Sequence, residues 1–373
     1  MKSTMGIILT GGKNNRLKEL SEFRSSTAVP VGGKYRVIDF VLSNMVNSGI
    51  TNIGVLTQYS FRSLMDHLGS GKEWDLDRRN EGLFIFPPFL SDENSGWYQG
   101  SADAMFHNIT FLKRSFQEYV VVAQGNCVYK MLFDSMLDYH IEKNADITIA
   151  YRDMSDFPLE ELTYMGVMTV EEGGRVIDFQ EKHKNPKSTI CSMGIYILKR
   201  ELLISLLEEC AAHGKYDFVK DVLINKLSTL NIYGYRFNGY WRNFSTINAY
   251  YRVNMEMLRP DVRHQLFMEN GKVYTKVKDE SPAKYNPEAA VKNSIVADGC
   301  IVEGTVINSV LFRGVTIKRD AIVKNSIIMQ GSVIEEDVDI DNIIIDKNVV
   351  LSKGINLRGI PTFPIIIGKD AKI

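Results

Sequence analysis

Long apolar runs are missing from this 373-residue sequence. No stretch is long enough to span a bilayer as a helix, which excludes a helical membrane protein. Cysteine is scarce: Cys127, Cys191, Cys210 and Cys300 stand far apart with no CxxC spacing, so neither a disulfide framework nor a zinc site is indicated. An excess of one charge is missing too. The 44 basic residues face 45 acidic ones, a formal net charge of -1, so no global field recruits nucleic acid or an anionic membrane. Met1–Gly11 holds one lysine and only a short apolar stretch, too little for a secretory signal. A cytoplasmic protein with reduced thiols is expected. The remaining composition, 45% hydrophobic and 24% charged, is that of a globular chain, and the length suggests two domains.

Two periodicities divide the chain. Up to about residue 260, β-like runs at Met5–Thr10, Asn52–Leu56, Tyr119–Ala123, Asp146–Tyr151 and Ser192–Leu198 alternate with amphipathic stretches at Val37–Ser48, Ala102–Phe116 and Ser135–Lys143. This alternation predicts an α/β domain over 1–260 built on a mostly parallel, Rossmann-like sheet with helices on both faces. Ligands on such sheets sit at the carboxyl ends of the strands. Arg252–Glu269 reads as a helical connector, broken or kinked at Pro260, with the linker reaching about residue 284.

From 285 to 373 the pattern repeats in sixes. One row runs Val315, Ala321, Ile327, Val333, Ile345 and Leu351, with Asp339 as the exception. An upstream row, Ala289, Ile295, Ile301 and Ile307, is offset by a two-residue insertion near Phe312. Such spacing marks hexapeptide repeats wound into a parallel β-helix, three hexads to a turn. One residue per hexad is expected to point inward, with Gly304, Gly314 and Gly331 at corners.

The first strand runs into Gly11-Gly12-Lys13-Asn14-Asn15-Arg16-Leu17. A glycine pair there lets backbone N–H groups approach a phosphate, and Arg16 can add a charge-assisted fork. Glycines in a strand-to-helix turn also serve geometry alone, so the loop is suggestive only.

Longer motifs add context. Ala28-Val29-Pro30-Val31-Gly32-Gly33-Lys34-Tyr35-Arg36-Val37-Ile38-Asp39-Phe40 is followed by Leu42-Ser43-Asn44 and Asn47-Ser48-Gly49-Ile50. Then come Trp97-Tyr98-Gln99-Gly100-Ser101-Ala102-Asp103-Ala104, Tyr129-Lys130-Met131, Glu181-Lys182, Ser192-Met193-Gly194-Ile195-Tyr196 and Gly239-Tyr240-Trp241-Arg242. In this order the motifs resemble the bacterial glucose-1-phosphate adenylyltransferases, which make ADP-glucose for glycogen, and the resemblance covers essentially the whole chain. It implies a nucleotidyltransferase-like α/β domain followed by a left-handed β-helix. It also implies that Tyr98, Gly166, Glu181, Lys182 and Ser192 hold glucose 1-phosphate, with Gly11, Gly12, Arg16 and Gly100 as a nucleotide-binding remnant.

The resemblance breaks where charge is needed. Bridging two anionic reactants calls for Mg²⁺ held by carboxylates. The family's Gly-Asp-His-x-Tyr-Lys-Met is Gly125-Asn126-Cys127-Val128-Tyr129-Lys130-Met131 here, and its Gly-Tyr-Trp-Arg-Asp ends in Asn243. The lysine of Arg-Ala-Lys-Pro-Ala-Val-Pro is replaced by Ser26, and the third loop glycine by Asn14. No catalytic residue is left intact at Asn126, Asn243 or Ser26, and no productive metal site is expected. Within the family this pattern resembles the non-catalytic, GlgD-type subunit. That implies a catalytic partner chain, a heterotetramer, and glucose 1-phosphate or ATP as ligands. Other readings are a weakly active enzyme using a carboxylate such as Asp103, and a stand-alone sugar-phosphate sensor. An acyltransferase coil would need a histidine, and none follows His264. Lys34, Arg36, Lys318 and Arg319 are basic residues that could meet an anionic effector, although solvated surface charge is the readier explanation.

Overall fold

The computed structural model describes residues 3–12, 14–89, 96–155, 157 and 159–373. Lys13, part of the glycine loop, lies outside them. The chain packs as two compact units. Residues 1–12, 40–61 and 68–241 form the first, and residues 13–39, 62–67 and 242–373 the second.

The first unit is built on a nine-stranded sheet. Its strands are β1 (Thr4–Leu9), β2 (Asn52–Leu56), β3 (Gly82–Phe86), β4 (Tyr119–Gln124), β5 (Ile147–Asp153), β6 (Gly166–Val170), β7 (Val176–Glu181), β8 (Ile190–Lys199) and β9 (Ile232–Arg236). They lie in the order β7-β6-β8-β4-β1-β2-β3, with β5 between β8 and β9. From β4 to β3 all pairings are parallel, whereas β8 runs against β4, β5 and β6. The central strands are buried on both faces, which is why they read as unbroken apolar runs such as Val120-Val121-Val122-Ala123. The expected stretch Ala102–Phe116 is two helices, Ser101–His107 and Ile109–Arg114, because Asn108 leaves helical geometry at φ -109 and ψ 21.

Helix Val37–Asn47 carries part of the long motif, and its polar residues have structural work to do. Buried Asn44 donates to the Tyr129 carbonyl at 3.1 Å and accepts from the Met131 amide at 3.3 Å, while Ser48 accepts from the Phe133 amide at 2.9 Å. These bonds fix the course of the Tyr129-Lys130-Met131 segment.

In the second unit two helices, Ile247–Glu256 and Pro260–Phe267, precede the coil. Arg259 is extended and Pro260 opens the next helix, as a proline at the first helical position does. The coil is a left-handed parallel β-helix made of three five-stranded parallel sheets, each strand pairing with its equivalent one turn on.

The inward positions differ from the sixfold rows. Strand equivalents such as Ile317, Ile334 and Leu351, or Val323, Ile340 and Leu357, are spaced by 17 residues rather than three full hexads. A count in sixes therefore slips by one residue per turn. Val315 and Ala321 face the core, Ile327 is buried outside the interior cluster, and Val333 and Asp339 stand half-buried. Ile345 and Leu351 return to the interior. The exception at Asp339 is thus an outward position, where its carboxylate meets Arg358 at 2.9 Å. Upstream, Ala289 packs against the interior, whereas Ile301 is 40% exposed and Ile295 and Ile307 are only half-buried. The core there is Cys300, Val302 and Val306. Gly314 and Gly331 do occupy corners at positive φ, but Gly304 is buried between turns: a Cβ on it would lie 2.4 Å from the Ala321 carbonyl oxygen.

Candidate functional site

Register places the first unit's candidate residues on one rim of its sheet. Leu9 of β1 stands level with Gln124 of β4 and Leu56 of β2, which is level with Phe86 of β3, so four carboxyl ends coincide. Gly11 and Gly12 follow β1, and Asn126 follows β4, where the Gly125 amide donates to Leu9 at 2.9 Å. Antiparallel β8 brings its amino end to the same rim, with Ile195 opposite Ala123 and Cys191 opposite Val167. Ser192 and Gly166 are therefore neighbours there, and Glu181 pairs with Gly166. This is the edge at which parallel sheets bind ligands.

The side chains form a polar cluster. Glu181 packs over Gly166, where an added Cβ would lie 2.8 Å from its Oε2. Lys182, at a left-handed φ of 50, pairs with Glu181 at 3.0 Å while 59% of its side chain stays exposed. Ser192 accepts from the Gly194 amide at 3.2 Å and bonds buried Tyr196. Burial, with Glu181 nearby, pushes the Tyr196 phenol well above its ordinary value, so it stays a neutral hydrogen-bond donor. A carboxylate, an exposed ammonium and two hydroxyls in one cluster suit a hydroxylated anion.

Other candidates make contacts of their own. Tyr98 is buried; its hydroxyl donates to Pro87 at 3.1 Å and accepts from Asn108 at 3.0 Å. Gly100 is demanded by packing, since a Cβ there would lie 2.3 Å from the Tyr216 carbonyl oxygen. Among the described residues, none beyond the chain neighbours comes within 4 Å of a Cβ placed on Gly11 or Gly12. Asp103 accepts from the Gln99 amide at 2.8 Å and pairs with His107 at 3.2 Å.

The second unit holds Arg16, Ser26 and Asn243. Arg16 is exposed on a 3-10 turn capped by Asn14, Ser26 is buried in another, and Asn243 is half-buried at the end of Trp241–Asn243. The same unit contains a small cavity of about 60 Å³, open to solvent and lined by Lys34, Arg36, Lys276, Lys278, Arg313 and Lys347 among others. Lys318 and Arg319 do not line it. Its acidic member, Asp66, receives a hydrogen bond from Lys276 at its backbone carbonyl. His67, also on the wall, pairs with buried Asp39 at 2.6 Å. Arg36 is anchored by Nη1 to the Ser63 carbonyl at 2.6 Å, and burial lowers its pKa. Beneath the wall Arg24 grips Asp346 through two bonds of 2.9 and 3.0 Å.

Residues 5–259 match the family described as "Nucleotidyl transferase", and residues 280–359 match "GlmU-like, C-terminal hexapeptide". The chain is 42% identical over 326 residues to a glucose-1-phosphate adenylyltransferase of Thermosipho africanus, covering 87% of this chain and 78% of that one. It belongs to the glucose-1-phosphate adenylyltransferase family. Similar enzymes come from Geobacillus stearothermophilus, 41% identical over 87% of this chain and 84% of theirs, and Clostridium acetobutylicum, 42% over 86% and 85%.

Against that family, the residues present fit a Mg²⁺ ion poorly. Asn126 and Asn243 offer amide oxygens without charge, and Asp103 is already engaged by His107 and Gln99. Among the described residues, no group of three or more His, Cys, Asp or Glu is placed to hold a metal ion. Nor is any described helix long and apolar enough to cross a membrane.

The cavity's coil wall escaped the sequence reading. Arg313, Gln330 and Lys347 lie one turn apart, which would have shown as a 17-residue column of polar residues after Leu311, Ile328 and Ile345.

Proposed function

We propose that this chain is a non-catalytic, GlgD-type regulatory subunit in glycogen synthesis, pairing with a catalytic glucose-1-phosphate adenylyltransferase chain and altering its response to substrates and effectors. One contrast carries the reading. Gly166, Glu181, Lys182 and Ser192, which we read as the sugar-phosphate side, meet on one rim, while the positions we read as supplying charge to the reaction are Asn126, Asn243 and Ser26. Each lost carboxylate forgoes attraction of about 4 kcal/mol for a cation at 4 Å near a surface, and each 1.4 kcal/mol of barrier is about tenfold in rate. The transfer of an adenylyl group therefore falls to a partner, and this chain retains binding. The cationic cavity supplies an input for an anionic effector, because Lys34 and Arg36 stand there with four more cations.

The test combines kinetics and hydrodynamics. Alone, the chain should make little or no ADP-glucose from ATP, glucose 1-phosphate and Mg²⁺. Mixed with a catalytic chain, it should co-elute on size-exclusion chromatography and shift that chain's substrate affinity or effector response. Turnover alone within about tenfold of the catalytic chain, a barrier difference of only about 1.4 kcal/mol, would overturn the reading. Separate elution with unchanged partner kinetics would overturn it as well, and would leave a stand-alone sugar-phosphate sensor as the better account.

A further inference from the structure

Gln124 is a polar residue of the rim that motif order does not pick out. It ends β4 and stands level with Leu9 at the end of β1. Alternation along a strand places Gln124 on the same face of the sheet as Val122, and Tyr196 of β8 lies opposite Val122. Tyr196 bonds Ser192 and has Glu181 nearby, so these side chains and Gln124 share one face at one end of the sheet.

Strand β8 is irregular at this point. Between Ser192 and Tyr196 it advances four residues while β5 moves two, from Tyr151 to Ile149. Such bulges re-aim side chains and are frequent beside binding sites. Within the bulge Gly194 has a φ of 68, and its amide is held by the Ser192 hydroxyl at 3.2 Å. Gln124 fills the space that a side chain on Gly194 would take: a Cβ there would lie 2.7 Å from the glutamine's Cδ and 3.0 Å from its Oε1. Position 194 is therefore held to glycine twice, by its backbone and by the amide laid against it.

The amide itself is uncommitted. Glu181 pairs with Lys182, and Ser192 bonds both Gly194 and Tyr196. Gln124 is half-buried, yet among the described residues no hydrogen bond reaches its side chain. A polar group kept partly from water without a partner costs stability that a ligand can return. An amide offers an acceptor and two donors without charge. That matches a hydroxyl and leaves the phosphoryl group to a cation such as the exposed Lys182.

We propose that Gln124 is a specificity-determining residue of the rim, its amide reading one hydroxyl of a bound hexose 1-phosphate while Lys182 meets the phosphate. This rests on the reading of the rim as a sugar-phosphate site, and adds to it a contact from the end of β4. An analogue lacking that hydroxyl leaves the amide half-buried and unpaired, and so binds more weakly.

Calorimetry on the full chain tests this by comparing glucose 1-phosphate with its 2-, 3-, 4- and 6-deoxy analogues. The same series is run on Gln124→Met, which keeps the bulk of the side chain and removes its hydrogen bonds. With the unaltered chain, at least one deoxy analogue should bind about tenfold or more weakly than glucose 1-phosphate. In Gln124→Met one such penalty should shrink to within about twofold, while those at the other positions persist. Penalties that are absent or unchanged by the substitution would refute the role of Gln124 and leave the sugar-phosphate reading standing. Equal weakening of all the ligands would do the same, since it marks a merely structural role. No binding of glucose 1-phosphate by the folded, unaltered chain would overturn that reading and this proposal with it. Should Gln124→Met fail to fold, Gln124→Ala, which only opens space beside Gly194, carries the same comparison.

Discussion

At Asn126 and Asn243 a single atom changes at each side chain, oxygen to nitrogen, and with it a unit of charge. Restoring both carboxylates, Asn126→Asp with Asn243→Asp, should raise Mg²⁺-dependent ADP-glucose formation above the level of the unaltered chain. If position 26 is where a cation would meet phosphate, the gain should be partial with Ser26 in place, and adding Ser26→Lys should increase it. A steady-state assay at saturating Mg²⁺ checks both steps. Lys347 gives a second residue-scale expectation. Its amine lies lower in the folded chain, about 7, than the ordinary 10.5, so the unfolded chain binds the proton first as pH falls. Stability is therefore lost as pH drops from about 10 to about 7, and Lys347→Met should remove that loss. Urea titrations should show the variant more stable at pH 7, with the advantage shrinking toward pH 10.

Elements show where the sequence was legible and where it was not. Strands such as Tyr119–Gln124 declare themselves because both faces are buried and every residue must be apolar or small. The split at Asn108 does not, since its flanks are both good helix and only the local turn decides it. In the coil, the architecture was readable from spacing but the inward face was not. Turns take 15 residues at first and 17 later rather than three full hexads, and Cys300, Val302 and Val306 stand inside where Ile301 and Ile307 are expected. Only motif order groups Glu181, Lys182 and Ser192 in the sequence, because strands distant in sequence meet through antiparallel β8. Gly304 offers a test at this scale. Its missing Cβ lets successive turns approach, so Gly304→Ala should destabilise the coil by about 1–3 kcal/mol in chemical denaturation. Gly354→Ala, with open space around it and only its positive φ to strain, should cost less.

For the whole molecule, the proposed assembly is what a test must reach. A stable contact with a catalytic chain should bury more than about 1,000 Å². Glu181→Ala should remove glucose 1-phosphate binding, read by calorimetry, while leaving co-elution intact. Deleting the coil is a blunter instrument than it looks. Removal of Asp346 strands Arg24, and breaking such a buried pair costs about 3–5 kcal/mol. Arg24→Met should show that loss in thermal unfolding, and the double variant Arg24→Met with Asp346→Leu should recover part of it.

The Arg24–Asp346 pair also sets a timetable. Its members are 322 residues apart, so Arg24 leaves the ribosome long before its partner has been synthesised. At about 5–20 residues per second, that interval is roughly 16–64 s. Throughout it, Arg24 has no Asp346 to pair with, although the strands of the first unit are complete by residue 241. Translation speed and chaperone supply, which act on that waiting period, are therefore levers on how much of this protein reaches its native state.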